Sequence, residues 1–136
     1  MSIDKEPTTI EKSAEQAEQA EAEALTEENS GIYTHEFKKP FTYEGRTYEQ
    51  LSFDWESLSG KDSVAIERDL LNRNIAVVHA GFTPEYLAAM AARACTYRNE
   101  DGFRTVTTNM IYALPLGEFR KICIAARNFL FRVGSR

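Results

Sequence analysis

Phe41-Thr42-Tyr43-Glu44-Gly45-Arg46-Thr47-Tyr48 is the stretch on which the fold class turns. Tyr43-Glu44-Gly45-Arg46 is a turn signal, because glycine takes positive φ without a steric cost. Phe41 and Tyr43 before it, and Arg46 to Tyr48 after it, have the aromatic and threonine content that suits strands, so the stretch reads as a β-hairpin. The same character extends outward on both sides. Ile32, Tyr33, Phe37, Leu51 and Phe53 arrive among threonines and charged residues. Pro40 cannot donate to a ladder and belongs at the edge or start of a strand.

Helical signals follow the hairpin. Ser59-Gly60-Lys61-Asp62 opens the first helix, with Ser59 as cap and Asp62 as its short reciprocal partner. Val64, Ile66, Leu70 and Leu71 then share one broad face, and Asn72-Arg73-Asn74 ends the run. Ile75-Ala76-Val77-Val78 is a short apolar run that reads as a brief extended segment. Thr83-Pro84-Glu85 starts a second helix, with Thr as cap, Pro at the first helical position and Glu near the positive end of the dipole. Leu87, Ala91, Ala94 and Cys95 share its face, and their small size lets another helix approach closely. Asn99-Glu100-Asp101-Gly102 is a loop, and Thr107 to Leu114 has room for one or two helical turns. Leu116, Phe119, Ile122, Cys123, Ala126 and Leu130 then recur at helical spacing, which places Phe119, Ile122 and Leu130 in a core. The prediction is an α+β fold: an N-terminal β-hairpin followed by about three packed helices, in one domain over residues 32–136.

Residues 1–31 are different in kind. They hold nine acids against two bases, a net charge of −7, whereas residues 32–136 carry only +2. The core of the segment, residues 14–24, is built from Ala, Glu and Gln, with little apolar surface to offset ordering entropy. It reads as a disordered acidic tail with transient helix, or as a segment that folds on a partner. The start, Met1-Ser2-Ile3-Asp4-Lys5, has no apolar signal region, and no run is long enough to span a bilayer. A cytoplasmic location is the default.

Reactive chemistry is hard to assemble from this chain. Cys95 and Cys123 fall on apolar stripes and read as reduced core thiols. His35 and His79 read as solvent or edge histidines. The seven glycines are scattered, without a phosphate loop. The expectation is no catalytic, metal or cofactor site. From Arg93 onward the chain carries eight bases and three acids among interleaved aromatics, but the arginines are spread out and the acidic tail competes, so nucleic acid is not the expected partner. Tyr86, Met90 and Tyr97 along one edge of the second helix, with Phe131 off the stripe of the third, exceed what the stripes require. They are either core or a partner groove, and they are the nominated partner-binding residues.

Several segments, in order, resemble a known family. They are 41–48, Leu51-Ser52-Phe53-Asp54, Leu58-Ser59-Gly60-Lys61-Asp62, residues 82–94, Leu114-Pro115-Leu116-Gly117-Glu118-Phe119 and Ala125-Ala126-Arg127-Asn128-Phe129-Leu130. Together, across residues 33–131, they are similar to tail assembly chaperones of long-tailed bacteriophages. The resemblance implies a non-enzymatic protein that coats the long helical tape measure protein, keeps it soluble and helps bring tail tube subunits to it. It implies residence in the host cell cytoplasm and absence from the mature virion, with no cofactor, no catalytic residues and no membrane partner; self-association stays open. The rival readings are a structural tail or head-tail component kept in the particle and a small nucleic-acid-binding regulator.

Overall fold

A computed structural model describes residues 31–134. The acidic tail therefore lies outside the described residues, apart from Gly31. The elements are β1 (Ile32–Tyr43), β2 (Arg46–Asp54), a single 3-10 turn Trp55–Ser57, α1 (Gly60–Asn72), a second 3-10 turn Ala80–Phe82, α2 (Pro84–Ala94), α3 (Thr108–Tyr112) and α4 (Leu116–Gly134). The α+β expectation of a hairpin followed by packed helices holds, with α3 as a short fourth helix.

β1 and β2 pair antiparallel from Ile32 opposite Asp54 to Tyr43 opposite Arg46. The turn between them has Glu44 at φ 48° and Gly45 at φ 79°. Two successive positive φ angles give the turn the twist that joins right-twisted strands, and glycine takes the second at no cost. Pro40 lies inside β1, where the register shifts between Glu36 and Phe41. The shift puts β1's Phe37 to Pro40 opposite Glu49 alone, so the missing proline N–H interrupts no ladder bond.

The inner face of the hairpin is aromatic. Tyr33 stacks on Phe53 (6.3 Å), Phe53 on Trp55 (5.4 Å), and Trp55 meets Phe129 of α4 (6.5 Å). α2 lies at the centre of the domain and meets α1, α3, α4, β2 and both 3-10 turns. Beyond it the chain rejoins the sheet: Cys95 bridges Phe53, and the Thr96 N–H donates to the Ser52 carbonyl at 2.9 Å.

The caps follow the sequence closely. Ser59 and Asp62 close a capping box at α1, and the Asp62 carboxylate accepts from the Ser59 N–H at 2.8 Å. That N–H, and after it the Arg93 guanidinium at 2.9 Å, hold the Asp62 carboxyl below its ordinary range. Thr107 caps α3 through Met110 N–H. Thr83 occupies the N-cap of α2, but its hydroxyl donates back to the His79 carbonyl at 2.8 Å instead of capping an amide.

Two expectations about faces need correction. Val64 and Leu71 of α1 are exposed; only Ile66 and Leu70 enter the core. Ile66 and Leu70 lie on the side of α1 that is buried, whereas Val64 and Leu71 lie together about 100–160° round the helix and stay in solvent. On α4, Leu116 is 73% exposed, Phe119 and Leu130 are half-buried, and the buried line is Glu118, Ile122, Cys123, Ala125, Ala126 and Phe129. The stripe is rotated toward the hairpin, where the Phe129 ring meets Trp55 at a tilt of 31°. Ile75 to Val77 are irregular backbone, not a strand.

This rotation is measurable. Phe129→Ala removes a buried ring and should cost about 3–5 kcal/mol in a urea titration. Leu116→Ala should stay within about 0.5 kcal/mol of the parent, as surface changes do. Equal losses at the two positions would place Leu116 in the core and the rotation would be wrong.

Candidate protein-binding groove

A groove bearing the exposed ring of Phe82 runs along α4, facing the Ala80–Phe82 turn and the first turn of α2, and encloses about 390 Å³. Leu87, Phe119, Cys123 and Ile124 supply apolar lining. Phe82, Arg120 and Arg127 line it as well, and among the described residues its lining contains no carboxylate.

The rim is built by local packing. His79 Nδ1 accepts from the Gly81 N–H at 3.2 Å and fixes the turn. The rings of His79, Phe82 and Phe131 then cluster, at 4.8 Å, 5.5 Å and 5.9 Å between centroids. Gly81 makes this possible, because a Cβ there would run into the Phe131 ring. The cluster does not hide its members: Phe82 is 66% and Phe131 41% exposed. Aromatic side chains with this exposure beside an apolar floor are the chemistry of a protein-binding surface. The Nε of Arg127 is shielded from solvent and finds no hydrogen-bond partner among the described residues.

The four nominated partner residues are not brought together. Phe131 belongs to the rim just described. Tyr86 and Met90 are buried in the core, the Tyr86 hydroxyl bonds Ser63 Oγ at 2.7 Å, and neither presents a surface edge. Tyr97 lies past the end of α2 at the hairpin, half-buried and edge-on to Tyr48 at 5.1 Å, with Arg46 donating to its hydroxyl at 3.4 Å. Phe82 and His79 were missed as rim residues. The only local signal was the small residue Gly81 between them.

His35 also departs from expectation: it is 2% exposed. Its Nε2 lies 2.7 Å from Glu118 Oε1 and its Nδ1 2.8 Å from the Tyr33 hydroxyl. A carboxylate only accepts, so Nε2 carries the proton, and in the neutral ring Nδ1 accepts from tyrosine. Glu118 Oε2 accepts the Lys38 N–H at 3.1 Å. The three side chains tie β1 to the first turn of α4. The inward alternation of Tyr33, His35 and Phe37 was the signal for this burial.

Both thiols are free and buried. Burial raises the Cys95 thiol and pushes Cys123 up to about 12. Among the described residues, no group of three or more His, Cys, Asp or Glu is placed to hold a metal ion, and no helix is long and apolar enough to cross a membrane. Comparison with protein-family models, with curated proteins and with solved structures returns no match.

The Cys123 shift has a pH consequence. An unfolded thiol ionises near 9.0, whereas the folded one holds its proton to about 12. The unfolded chain therefore loses this proton first, so stability is full below pH 9 and falls as the pH climbs toward 12. In unfolding titrations at pH 8 to 11, the Cys123→Ala chain should lose less stability than the parent over the same interval. Parallel declines would remove Cys123 as a cause. Glu118→Ala strips His35 of its acceptor and should cost about 1–3 kcal/mol at neutral pH; a neutral result would mean that the tie contributes nothing.

Proposed function

We propose that this protein is a tail assembly chaperone: it binds the long helical tape measure protein of a tailed phage, keeps it soluble and assists tail tube assembly, without catalysis. The observation that carries the reading is the groove along α4, where exposed Phe82 and Phe131 stand beside an apolar floor. An amphipathic client helix is recognised by laying its apolar face into such a groove. The ordered segments across residues 33–131 that resemble this family give independent support. Many weak sites along a long client add up by avidity, so one modest groove per chain is sufficient. The net charge of −7 on residues 1–31 would help keep the complex in solution. Tail tube subunits would be brought to the coated client.

Co-expression tests the reading. The cognate tape measure protein should become soluble and co-purify with the chain. Affinity should change little between low and high salt, unlike nucleic-acid binding, which falls steeply. The double change Phe82→Ala with Phe131→Ala should weaken the complex at least about tenfold, roughly 1.4 kcal/mol, while Tyr97→Ala, away from the groove, should leave it intact. A client that stays insoluble with the parent chain present would refute the reading. Stoichiometric amounts of this chain in purified particles would favour a structural component of the virion instead.

A further inference from the structure

We propose that a second copy of this chain docks on the outer side of α1, in a two-fold dimer whose two α1 helices run parallel. The apolar surface is unusual for a helix that already has a buried side. Val64 is 54% and Leu71 64% exposed, while Ile66 and Leu70 fill the core. Val64 and Leu71 are seven residues apart, so they lie about 20° apart round the helix and about 10 Å apart along it. With Ile75 and Val77 they bound a hollow of about 410 Å³. Contiguous exposed apolar surface of this kind marks contact with another molecule.

Charge identifies that molecule. Glu67 and Arg68 line the same hollow. They stand about 50° to either side of the line from Val64 to Leu71, at mid-height between the two. Glu67 accepts a long bond from the Ser63 hydroxyl at 3.4 Å, and neither Glu67 nor Arg68 forms an ion pair among the described residues. A partner with charge of one sign would attract one of these groups and repel the other. A second copy related by a two-fold axis along α1 does better. It sets Glu67 of each chain opposite Arg68 of the other, and brings Val64 and Leu71 against their own counterparts. Flanking charges choose the partner and direction of parallel helix pairs in the same way. An antiparallel pair centred on the same face would set Glu67 against Glu67 and Arg68 against Arg68, which is repulsive. The face is therefore self-complementary, as an isologous contact requires, in one direction only.

The contact is small. α1 has 13 residues and is about 20 Å long, which places the interface at the transient end of the size range. A dissociation constant on the order of 10–100 µM is expected from such a face. The hollow shares no residue with the groove along α4, so a dimer would carry two grooves. Their joint use on one long client rests on the chaperone reading; the dimer does not.

The experiment uses the full chain without any client, so its failure and that of the chaperone reading are distinguishable. Sedimentation equilibrium is run from about 5 µM to about 500 µM, a range that brackets a transient interface. The average mass should rise toward twice that of the chain. Leu71→Glu, at an exposed position, should weaken association at least about tenfold. Glu67→Arg alone and Arg68→Glu alone should each do the same, because each sets like charges opposite one another. An equimolar mixture of these two variants should associate about as tightly as the parent, which also shows that both are folded. Direction is read by cross-linking at neutral pH, where the buried native thiols stay protonated. Val64→Cys chains should form a disulfide with one another on mild oxidation. A chain that stays monomeric throughout the range, a dimer indifferent to Leu71→Glu, or a mixture that does not associate overturns the proposal. Val64→Cys chains that link to Leu71→Cys chains but not to each other would show an antiparallel pair and overturn it as well.

Discussion

The fold depends on one constraint: α2 must be surrounded. Ala88, Ala91 and Ala94 are fully or almost fully buried, and Ala89 and Ala92 nearly so. A helix with larger residues at these places could not accept α1, α3, α4 and β2 at close range on its several sides. The cost is that alanine contributes little burial of its own, so the apolar area comes from what surrounds it. Trp55, Phe53, Leu70, Met110 and Ile122 supply that area from five different elements. Only Arg93 of its second half is solvent-facing, and it reaches Asp62 at the head of α1. The central helix thus also anchors the cap of its neighbour.

The second element of cohesion closes the chain on itself. β1 begins the described fold and α4 ends it, yet they are joined by the His35–Glu118 contact, 83 residues apart in sequence. A buried polar tie of this kind adds modest net stability, because desolvation offsets most of the attraction. Its larger effect is on geometry. Glu118 takes bonds from both His35 and Lys38 N–H, so sliding or rotating α4 along the hairpin breaks both at once. The stacked rings of Tyr33, Phe53 and Trp55, with Phe129 tilted against Trp55, supply burial along the same seam. Apolar contact sets the strength of this seam and the polar tie sets its register.

What could be read in the sequence was local chemistry. The Glu44–Gly45 turn, the Ser59–Asp62 box and Pro84 at the start of a helix are decided within four or five residues, and the structure shows each in place. What failed depended on where the neighbours fell. Val64 and Leu71 lie on one side of α1 and Ile66 with Leu70 on another, about 100–160° round the helix, and nothing local says which of the two apolar sides meets α2. Leu116 is in line with Cys123, seven residues on, but the buried line of α4 runs through Ile122, Ala126 and Phe129 and leaves Leu116 outside it. Tyr86 and Met90 looked surplus because the second helix was assumed to have a solvent side, and the all-round burial of α2 leaves it almost none. The groove was invisible for the same reason. It joins residues from 81–87 with residues from 119–127, which only the packing of α2 against α4 brings together.

Two surfaces compete for the role of a binding face, and their construction separates them. The outer side of α1, with Val64, Leu71, Ile75 and Val77, bounds a hollow of about 410 Å³. Glu67 and Arg68 stand in the same patch, so its charges are mixed, and it carries no aromatic residue. The groove along α4 has walls from three elements, the Ala80–Phe82 turn, α2 and α4, and carries the exposed ring of Phe82 beside Arg120 and Arg127. Binding energy concentrates where aromatic anchors meet recessed apolar ground, and selectivity comes from charge of one sign. Gly81 lets Phe131 seat against the turn, and that contact holds Phe82 in an exposed position. A ring that could bury itself elsewhere would be a packing accident; a ring held outward by a neighbour that needs a glycine is a surface the fold maintains.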